Sequence, residues 1–239
     1  MRLTLPQYEI TMGAESAGEK KRGYILVAGG RAPATAWLSA AAAGRAAVCA
    51  DRGVSYCRRA GLVPEAVIGD ADSAGEDWQW ARGEGARTLR YPADKDRTDL
   101  ALALIYLKKQ KDCGSLVASG VLGGRFDHAF SALFTLSAYR QGLGCPLIAA
   151  DQYETLIFAG RAEKISVRFF QRPEVISLLP LSGRGRATLT GCRWELQDGL
   201  LCQSRPYAVS NRLKEGRDGL SFEAAGKAGI YCCFAEGAL

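Results

Sequence analysis

The stretch VIGDADS, residues 67–73, closes a short apolar run with Gly69 and then sets Asp70 and Asp72 one residue apart. The same order recurs along the first 151 residues: a buried strand ends in glycine or aspartate, and a helical pattern follows, as after YILVAGG (24–30) and SLVASG (115–120). Alternating strand and helix units predict a mostly parallel sheet covered on both faces. We therefore expect residues 23–151 to form an N-terminal α/β sheet domain.

The sequence changes character after about residue 152. Short β-type runs follow, separated by Gly, Asp-Gly and Ser or Asn, and no long helical pattern appears. This texture predicts a C-terminal all-β sandwich domain over residues 152–239. Residues 1–22 are interpreted as a polar N-terminal lead, partly disordered or forming a lone edge strand.

Composition narrows the class of protein. The chain has 239 residues, of which 48% are apolar and 23% charged, as in ordinary globular proteins. A net charge of +6 without a long basic block does not indicate nucleic-acid binding. We find no stretch long enough to cross a bilayer and no cleavage signal in the first 21 residues, so we expect no membrane association and a cytoplasmic protein. Eight cysteines without a C-x-x-C pair, and the single histidine His128, do not predict a zinc site.

Acidic residues follow several of the predicted strands. Asp51, Asp70, Asp72 and Asp99 all fall in strand-to-helix turns, and in a parallel sheet these turns meet at one edge, where ligands bind. Neighbouring carboxylates repel each other unless a cation neutralises them, and such oxygen ligands suit magnesium shared with substrate phosphates. Taken singly, each residue also suits a plain turn or a helix cap.

A glycine-rich turn lies on the same predicted edge. Gly123 and Gly124 permit close backbone approach, and Arg125 offers a guanidinium that fits phosphate oxygens. A plain surface turn explains the two glycines equally well when they are taken alone. Together with the acidic turns, however, the set favours chemistry on a magnesium-bound nucleotide. The G-x-x-x-x-G-K signature of P-loop kinases is absent from the sequence.

Four motifs together resemble the thiamine pyrophosphokinase family: CADRG (49–53), GDADS (69–73), KDRTD (95–99) and LGGRFDH (122–128). Two weaker ones follow at GCRWEL (191–196) and VSN (209–211). The resemblance implies an α/β domain followed by a β-sandwich, and a homodimer whose active sites lie between subunits. It implies that thiamine and ATP, with Mg²⁺, give thiamine diphosphate and AMP.

The resemblance also implies roles for individual residues. Asp70, Asp72 and Asp99 would hold magnesium, and together with Asp51, Arg125 and Asp127 they would form the catalytic region. The ATP contacts would be Lys95, Thr98, Gly123, Gly124, Arg125 and His128, and the thiamine contacts Trp194, Ser210 and Asn211. Asp70 or Asp99 would take the hydroxyl proton. Trp194 is alternatively an ordinary core aromatic of the sandwich.

Two positions depart from the family pattern. Arg52 stands where a glycine is usual, so a side chain enters a turn that expects none and could alter ligand access. Ala71 stands where a phenylalanine is usual, which removes packing but no ligand. The competing functions are another magnesium-dependent small-molecule kinase or phosphohydrolase, and a non-catalytic thiamine- or nucleotide-binding protein.

Overall fold

The computed structural model of this chain describes residues 1–13, 21–72, 74–160 and 162–235. The chain is of the mixed α/β type that the sequence predicts, with two compact units. One unit runs to Asp151, and the other joins the N-terminal residues to the chain from Gln152 onward. Each unit has its own buried apolar core.

The N-terminal residues form two paired strands, β1 (Arg2–Leu5) and β2 (Tyr8–Met12). This differs from the interpretation of residues 1–22 as a polar lead. Alternate side chains, from Leu3 to Met12, are buried, and this period-two pattern is what a half-buried strand requires. The alternation covers only four and five residues, separated by a turn, so it is a weak signal in the sequence.

In the α/β unit, strands and helices alternate from Arg22 to Ala150. They are β3 (Arg22–Val27), α1 (Thr35–Ala42), β4 (Arg45–Ala50), α2 (Gly53–Arg59), β5 (Ala66–Gly69), α3 (Gly75–Gly83), β6 (Arg87–Arg90), α4 (Asp99–Lys108), β7 (Cys113–Ser119), α5 (Phe126–Leu143) and β8 (Leu147–Ala150). The β5 and β8 strands are buried at every position, as expected for strands covered on both faces.

The six strands of this unit pair in parallel, in the order β8-β7-β3-β4-β5-β6. The chain runs outward from β3 to β6 and then returns to place β7 on the other side of β3. The strand order therefore reverses between β3 and β7, which is where open sheets of this kind form a ligand crevice at the carboxyl ends.

The β-rich unit contains antiparallel pairs and, in its described part, no helix. Its further strands are β9 (Glu154–Ala159), β10 (Glu163–Phe169), β11 (Val175–Pro180), β12 (Arg184–Thr190), β13 (Leu196–Cys202), β14 (Gly219–Ala225) and β15 (Ala228–Cys233). The predicted single run RATLTGCRWEL (186–196) is not one strand: β12 ends at Thr190, where Gly191 follows at φ 87°, and β13 begins only at Leu196.

These strands form two groups. One sheet has the order β1-β2-β10-β14-β12-β13, and a second group pairs β11, β15 and β9. The buried Tyr8 hydroxyl of β2 lies 2.7 Å from the Thr155 hydroxyl of β9, and the Tyr8 ring stacks on Phe234. Side chains of the two groups thus share one core. No helix in the described ranges combines the length and the apolar character of a membrane span.

Candidate functional site

The predicted acidic turns all follow neighbouring parallel strands. Asp51 comes directly after β4, Asp70 and Asp72 after β5, and Asp99 begins the helix that follows β6. Because parallel strands present their carboxyl ends on one side, these turns line the same edge of the sheet. Gly69, at φ 157°, lets two of these turns approach closely, since a Cβ built there would stand 3.3 Å from the backbone N and Cα of Asp51.

Lys95 brings two of the aspartates together. Its Nζ lies 3.5 Å from Asp70 Oδ2 and 3.2 Å from Asp99 Oδ1. All three side chains are at most one-fifth exposed, so the charges interact through a medium less polar than bulk water. Asp99 Oδ1 is buried, and the Lys95 ammonium lies 3.2 Å from it.

The two carboxylates differ in proton affinity. The Asp72 backbone N–H, 3.1 Å from Asp70 Oδ1, lowers the pKa of Asp70, and the Lys95 charge adds to this effect. Burial raises the pKa of Asp99, and the charges of Asp51 and Asp70 raise it further against the attraction of Lys95. Burial alone would lower the pKa of Lys95, but its two acidic partners raise it overall. Lys95 is therefore a fixed ammonium group between anions.

The Asp51 turn explains why Arg52 is tolerated. Arg52 has φ −57° and ψ −15° and is exposed, so the backbone does not need a glycine there. Gly53, by contrast, is indispensable, because a Cβ at this position would overlap the Val27 carbonyl oxygen. Asp51 itself adopts φ 49° and donates its N–H to the Ile68 carbonyl at 2.9 Å, which ties β4 to β5.

Asp72 does not join the Lys95 cluster. It is exposed, and the preceding Ala71 has φ 68°, which turns the chain between the two aspartates. The two aspartates therefore do not lie in one extended segment. Across the described ranges, no three acidic, thiol or imidazole side chains converge on one point, so the three-aspartate magnesium site remains a prediction. Ser73 lies outside the described residues.

Thr98 performs the capping role that its position suggests. Its Oγ1 accepts the Ala101 N–H at 3.2 Å at the start of α4. This cap fixes Asp99 as the first helical residue, so the Asp99 carboxylate is placed by the helix rather than by a mobile loop.

The glycine turn before α5 has the conformation that its sequence predicts. Gly123 has φ 65° and Gly124 φ 72°, both in the left-handed region. Arg125 is exposed and donates to Asp127 from Nε (3.1 Å) and Nη2 (2.6 Å), which raises the pKa of Arg125 and lowers that of Asp127. His128 is exposed in the first turn of the helix.

Two residues that sequence reasoning missed lie beside this turn. Arg31 follows Gly29 and Gly30 after β3, and its guanidinium binds the buried Asp151 at the end of β8. The available signal was the YILVAGGR segment, another strand ending in glycines, now followed by a cation as in Gly-Gly-Arg at 123–125. Asp151 was read only as a domain boundary.

The β-rich unit places the three predicted thiamine residues around one cavity of about 440 Å³. Asn211 Nδ2 donates to the Trp194 carbonyl (2.7 Å), and Asn211 Oδ1 accepts the Trp194 N–H (3.2 Å). Trp194 is 57% exposed, so it is not a core aromatic. The cavity is also lined by Tyr207 and Val209, each about half exposed, which sequence reasoning missed.

Comparisons with known proteins agree on one family. Residues 39–146 match the sequence model described as "Thiamin pyrophosphokinase, catalytic domain". This range contains the acidic residues of the sheet edge, Asp51, Asp70, Asp72 and Asp99. Thiamine pyrophosphokinase of Bacillus subtilis (strain 168) is 29% identical over 176 residues, which are 72% of this chain and 80% of that protein. Thiamine pyrophosphokinase 1 of Arabidopsis thaliana is 26% identical over 64% of this chain and 59% of its own length.

Solved structures show the same fold. The crystal structure of the Bacillus subtilis thiamine pyrophosphokinase superposes with a TM-score of 0.74 at 22% identity, over 90% of this chain and all of that one. Thiamin pyrophosphokinase from Candida albicans gives 0.73 at 14% identity, over 89% and 90% of the two chains. The predicted family resemblance is confirmed.

The opposite pKa shifts predict opposite stability effects for two isosteric substitutions. Because the pKa of Asp99 is raised in the folded protein, this group contributes to the free energy of unfolding below its unfolded pKa of about 3.9. That contribution is lost as pH rises through the folded pKa. The lowered pKa of Asp70 contributes stability above that unfolded value and loses it on acidification. In urea unfolding at pH 7, Asp99→Asn should be at least as stable as the parent and Asp70→Asn less stable. Both differences should shrink below about pH 4, and the reverse order at pH 7 would contradict these environments.

Proposed function

We propose that this chain, a member of the thiamine pyrophosphokinase family, transfers the pyrophosphoryl group of ATP to the hydroxyl of thiamine, giving thiamine diphosphate and AMP. One observation carries the proposal. Asp70 and Asp99, from separate turns inside the matched range 39–146, converge on the Lys95 ammonium. Two anions and a fixed cation at the carboxyl edge of a parallel sheet form a site for a metal-bound polyphosphate.

The residues at this edge fit magnesium. Their donors are carboxylate oxygens, the ligands that a hard cation prefers, and the buried Asp99 Oδ1 already faces a positive charge, the Lys95 ammonium at 3.2 Å. Asp70 and Asp99 would hold the ion, with Asp72 joining them from its exposed turn. When bound, magnesium would neutralise charge on the polyphosphate during transfer.

The protein's own groups would bind and orient the ATP. Lys95 lies between the two carboxylates, and its ammonium would bind phosphate oxygens as a compact point charge. Arg125 projects from the Gly123–Gly124 turn at the start of α5, so its guanidinium and the helix N-terminus both favour an anion. Thr98 and His128 stand at the first turns of α4 and α5 and complete the proposed ATP contacts.

The chemical step would be an in-line displacement. The thiamine hydroxyl oxygen forms a bond to the β-phosphorus of ATP, the bond from that phosphorus to the α,β-bridging oxygen breaks, and AMP leaves. Asp70 or Asp99 would accept the hydroxyl proton. Asp51 and Asp127 would line the reacting region without a covalent role. Such transfer relies on positioning and charge neutralisation, which the rigid strand-end turns provide.

Thiamine would occupy the cavity of about 440 Å³ in the β-rich unit. Its thiazolium carries a positive charge, which suits the exposed face of the Trp194 indole. Asn211 clamps the Trp194 backbone from both sides, and Ser210, at φ 60°, lies beside it with its N–H bound to Ser177 Oγ at 3.1 Å. The cavity is therefore a preformed aromatic recess rather than a mobile loop.

The proposal includes the assembly and setting that the family resemblance implies. The two strand groups of the β-rich unit would pack as a sandwich, as the shared Tyr8, Thr155 and Phe234 core supports. Two copies would form a homodimer, with Ser210 and Asn211 of one subunit serving the ATP edge of the other. The enzyme would act in the cytoplasm.

Product identity tests the proposed reaction. Purified protein incubated with ATP, magnesium and thiamine should yield AMP and thiamine diphosphate in equal amounts on chromatography. ADP would instead identify a conventional kinase, inorganic phosphate without a thiamine product would identify a hydrolase, and no product would identify a binding protein.

Asp99→Asn, expected to remain folded, should lose turnover by about a hundredfold or more, because it removes a charged ligand of the transition state. Full activity in that variant would refute the role of Asp99.

Trp194→Ala tests the thiamine cavity. Loss of an exposed indole face should raise the KM for thiamine about tenfold or more, since cation–π contacts in desolvated sites contribute about 2 kcal/mol. The KM for ATP and the unfolding midpoint should change little, because the side chain is 57% exposed. Tyr139→Phe, a change in α5 that retains the aromatic ring, serves as the matched control and should leave both constants unchanged. An unaltered thiamine KM in Trp194→Ala would place thiamine elsewhere.

A further inference from the structure

Arg31 is anchored to a buried carboxylate. Its Nε and Nη2 donate to Asp151 Oδ2 at 2.9 Å and 2.5 Å, and the Asp151 side chain is 1% exposed. A carboxylate removed from water to this degree requires its charged partner, so the pair fixes the orientation of the guanidinium. Because Asp151 neutralises Arg31, what Arg31 adds to the edge is shape more than charge.

The fixed guanidinium lies directly against Gly123. A Cβ built at Gly123 would stand 2.5 Å from Nη1, 2.7 Å from Cζ and 2.9 Å from Nε of Arg31. These distances mean that the guanidinium fills the space that a side chain at position 123 would need. A Cβ built at the neighbouring Gly124 would stand 3.8 Å from the Arg31 backbone nitrogen. Arg31 therefore packs against both glycines and supports the Gly123–Gly124 turn.

The backbone that carries Arg31 is itself held rigidly. The Gly30 N–H donates to the Gly120 carbonyl at 2.8 Å, and the Gly30 carbonyl accepts the Tyr56 hydroxyl at 2.8 Å. A Cβ at Gly30 would come within 2.5 Å of the Gly120 oxygen, so the turns after β3 and β7 touch backbone to backbone. This contact lies where the strand order reverses, at the crevice of the sheet.

We propose that Arg31 is a positioning residue: through Gly123 and Gly124 it sets the turn that presents Arg125 to the ATP polyphosphate. The inference rests on the proposed function, and it adds a residue outside the motifs that suggested that function. Arg125 is 74% exposed and is held by Asp127 in the first turn of α5, so the backbone that enters the helix decides where its guanidinium points. A guanidinium that supports this backbone therefore constrains the contact of Arg125 with the polyphosphate.

Arg31→Lys tests the proposal, because lysine keeps a positive charge for Asp151 but lacks the flat face. Calorimetry on the full-length protein should show affinity for magnesium-ATP reduced by about tenfold or more, the loss that one misplaced charged hydrogen bond produces. Affinity for thiamine and the unfolding midpoint should stay near the parent values. The matched control is Arg58→Lys, which makes the same exchange in the Arg58–Asp77 pair and should leave ATP affinity unchanged.

A second variant distinguishes positioning from a purely structural ion pair. Gly123→Ala drives a methyl group into the guanidinium face, and it should weaken ATP binding at least tenfold more in the parent than in the Arg31→Lys background, where the flexible ammonium moves aside. Additive losses, or ATP affinity in Arg31→Lys within about twofold of the parent, would overturn the proposal. A general loss of structure would weaken thiamine and ATP binding together, which would also overturn it.

The binding measurement separates this inference from the proposed function. Calorimetry needs no turnover, so a parent protein that binds ATP but forms no AMP would refute the reaction and still report on Arg31. A parent protein that binds no ATP would overturn both.

Discussion

The carboxyl edge of the parallel sheet depends on the neutralisation of two converging carboxylates, Asp70 and Asp99. At an effective dielectric constant of about 20, like charges 4 Å apart repel by about 4 kcal/mol, so acidic turns do not come together unless a cation lies between them. Lys95, four residues before Asp99 in the loop between β6 and α4, supplies that cation. The rest of the edge is arranged around this triad, including the burial that raises the pKa of Asp99 and the amide that lowers the pKa of Asp70.

Close backbone contacts make this arrangement rigid. Gly53 fits beneath the Val27 carbonyl and Gly30 against the Gly120 carbonyl, so successive turns are stacked at distances that no side chain permits. Such contacts hold charged groups on strand ends rather than on mobile loops, which reduces the reorganisation that phosphoryl chemistry would require. The Arg31–Asp151 pair extends the same construction to the Gly123–Gly124 turn.

Much of this could be read from the sequence because it depends on local patterns. Strand-ending glycines and aspartates predicted the parallel sheet, and the motif from Gly69 to Asp72 predicted the acidic edge. The convergence of Asp70 and Asp99 followed from topology. Three features could not be predicted. The two strands at the N-terminus are short, and β10, which pairs with β2, lies more than 150 residues away. The left-handed Ala71 separates Asp72 from Asp70, and the Arg31–Asp151 pair joins residues 120 positions apart.

Magnesium-dependent stabilisation tests the central claim most directly, because it measures the shared carboxylate site without any turnover. A cation that binds only the folded protein raises stability by RT ln(1 + [L]/Kd). We predict that magnesium raises the unfolding midpoint of the parent protein and raises it more in Lys95→Met, where the ammonium no longer competes for Asp70 and Asp99. The same addition should have no effect on a Lys95→Met, Asp99→Asn double variant. A magnesium response that is absent from Lys95→Met, or unchanged in the double variant, would contradict the account.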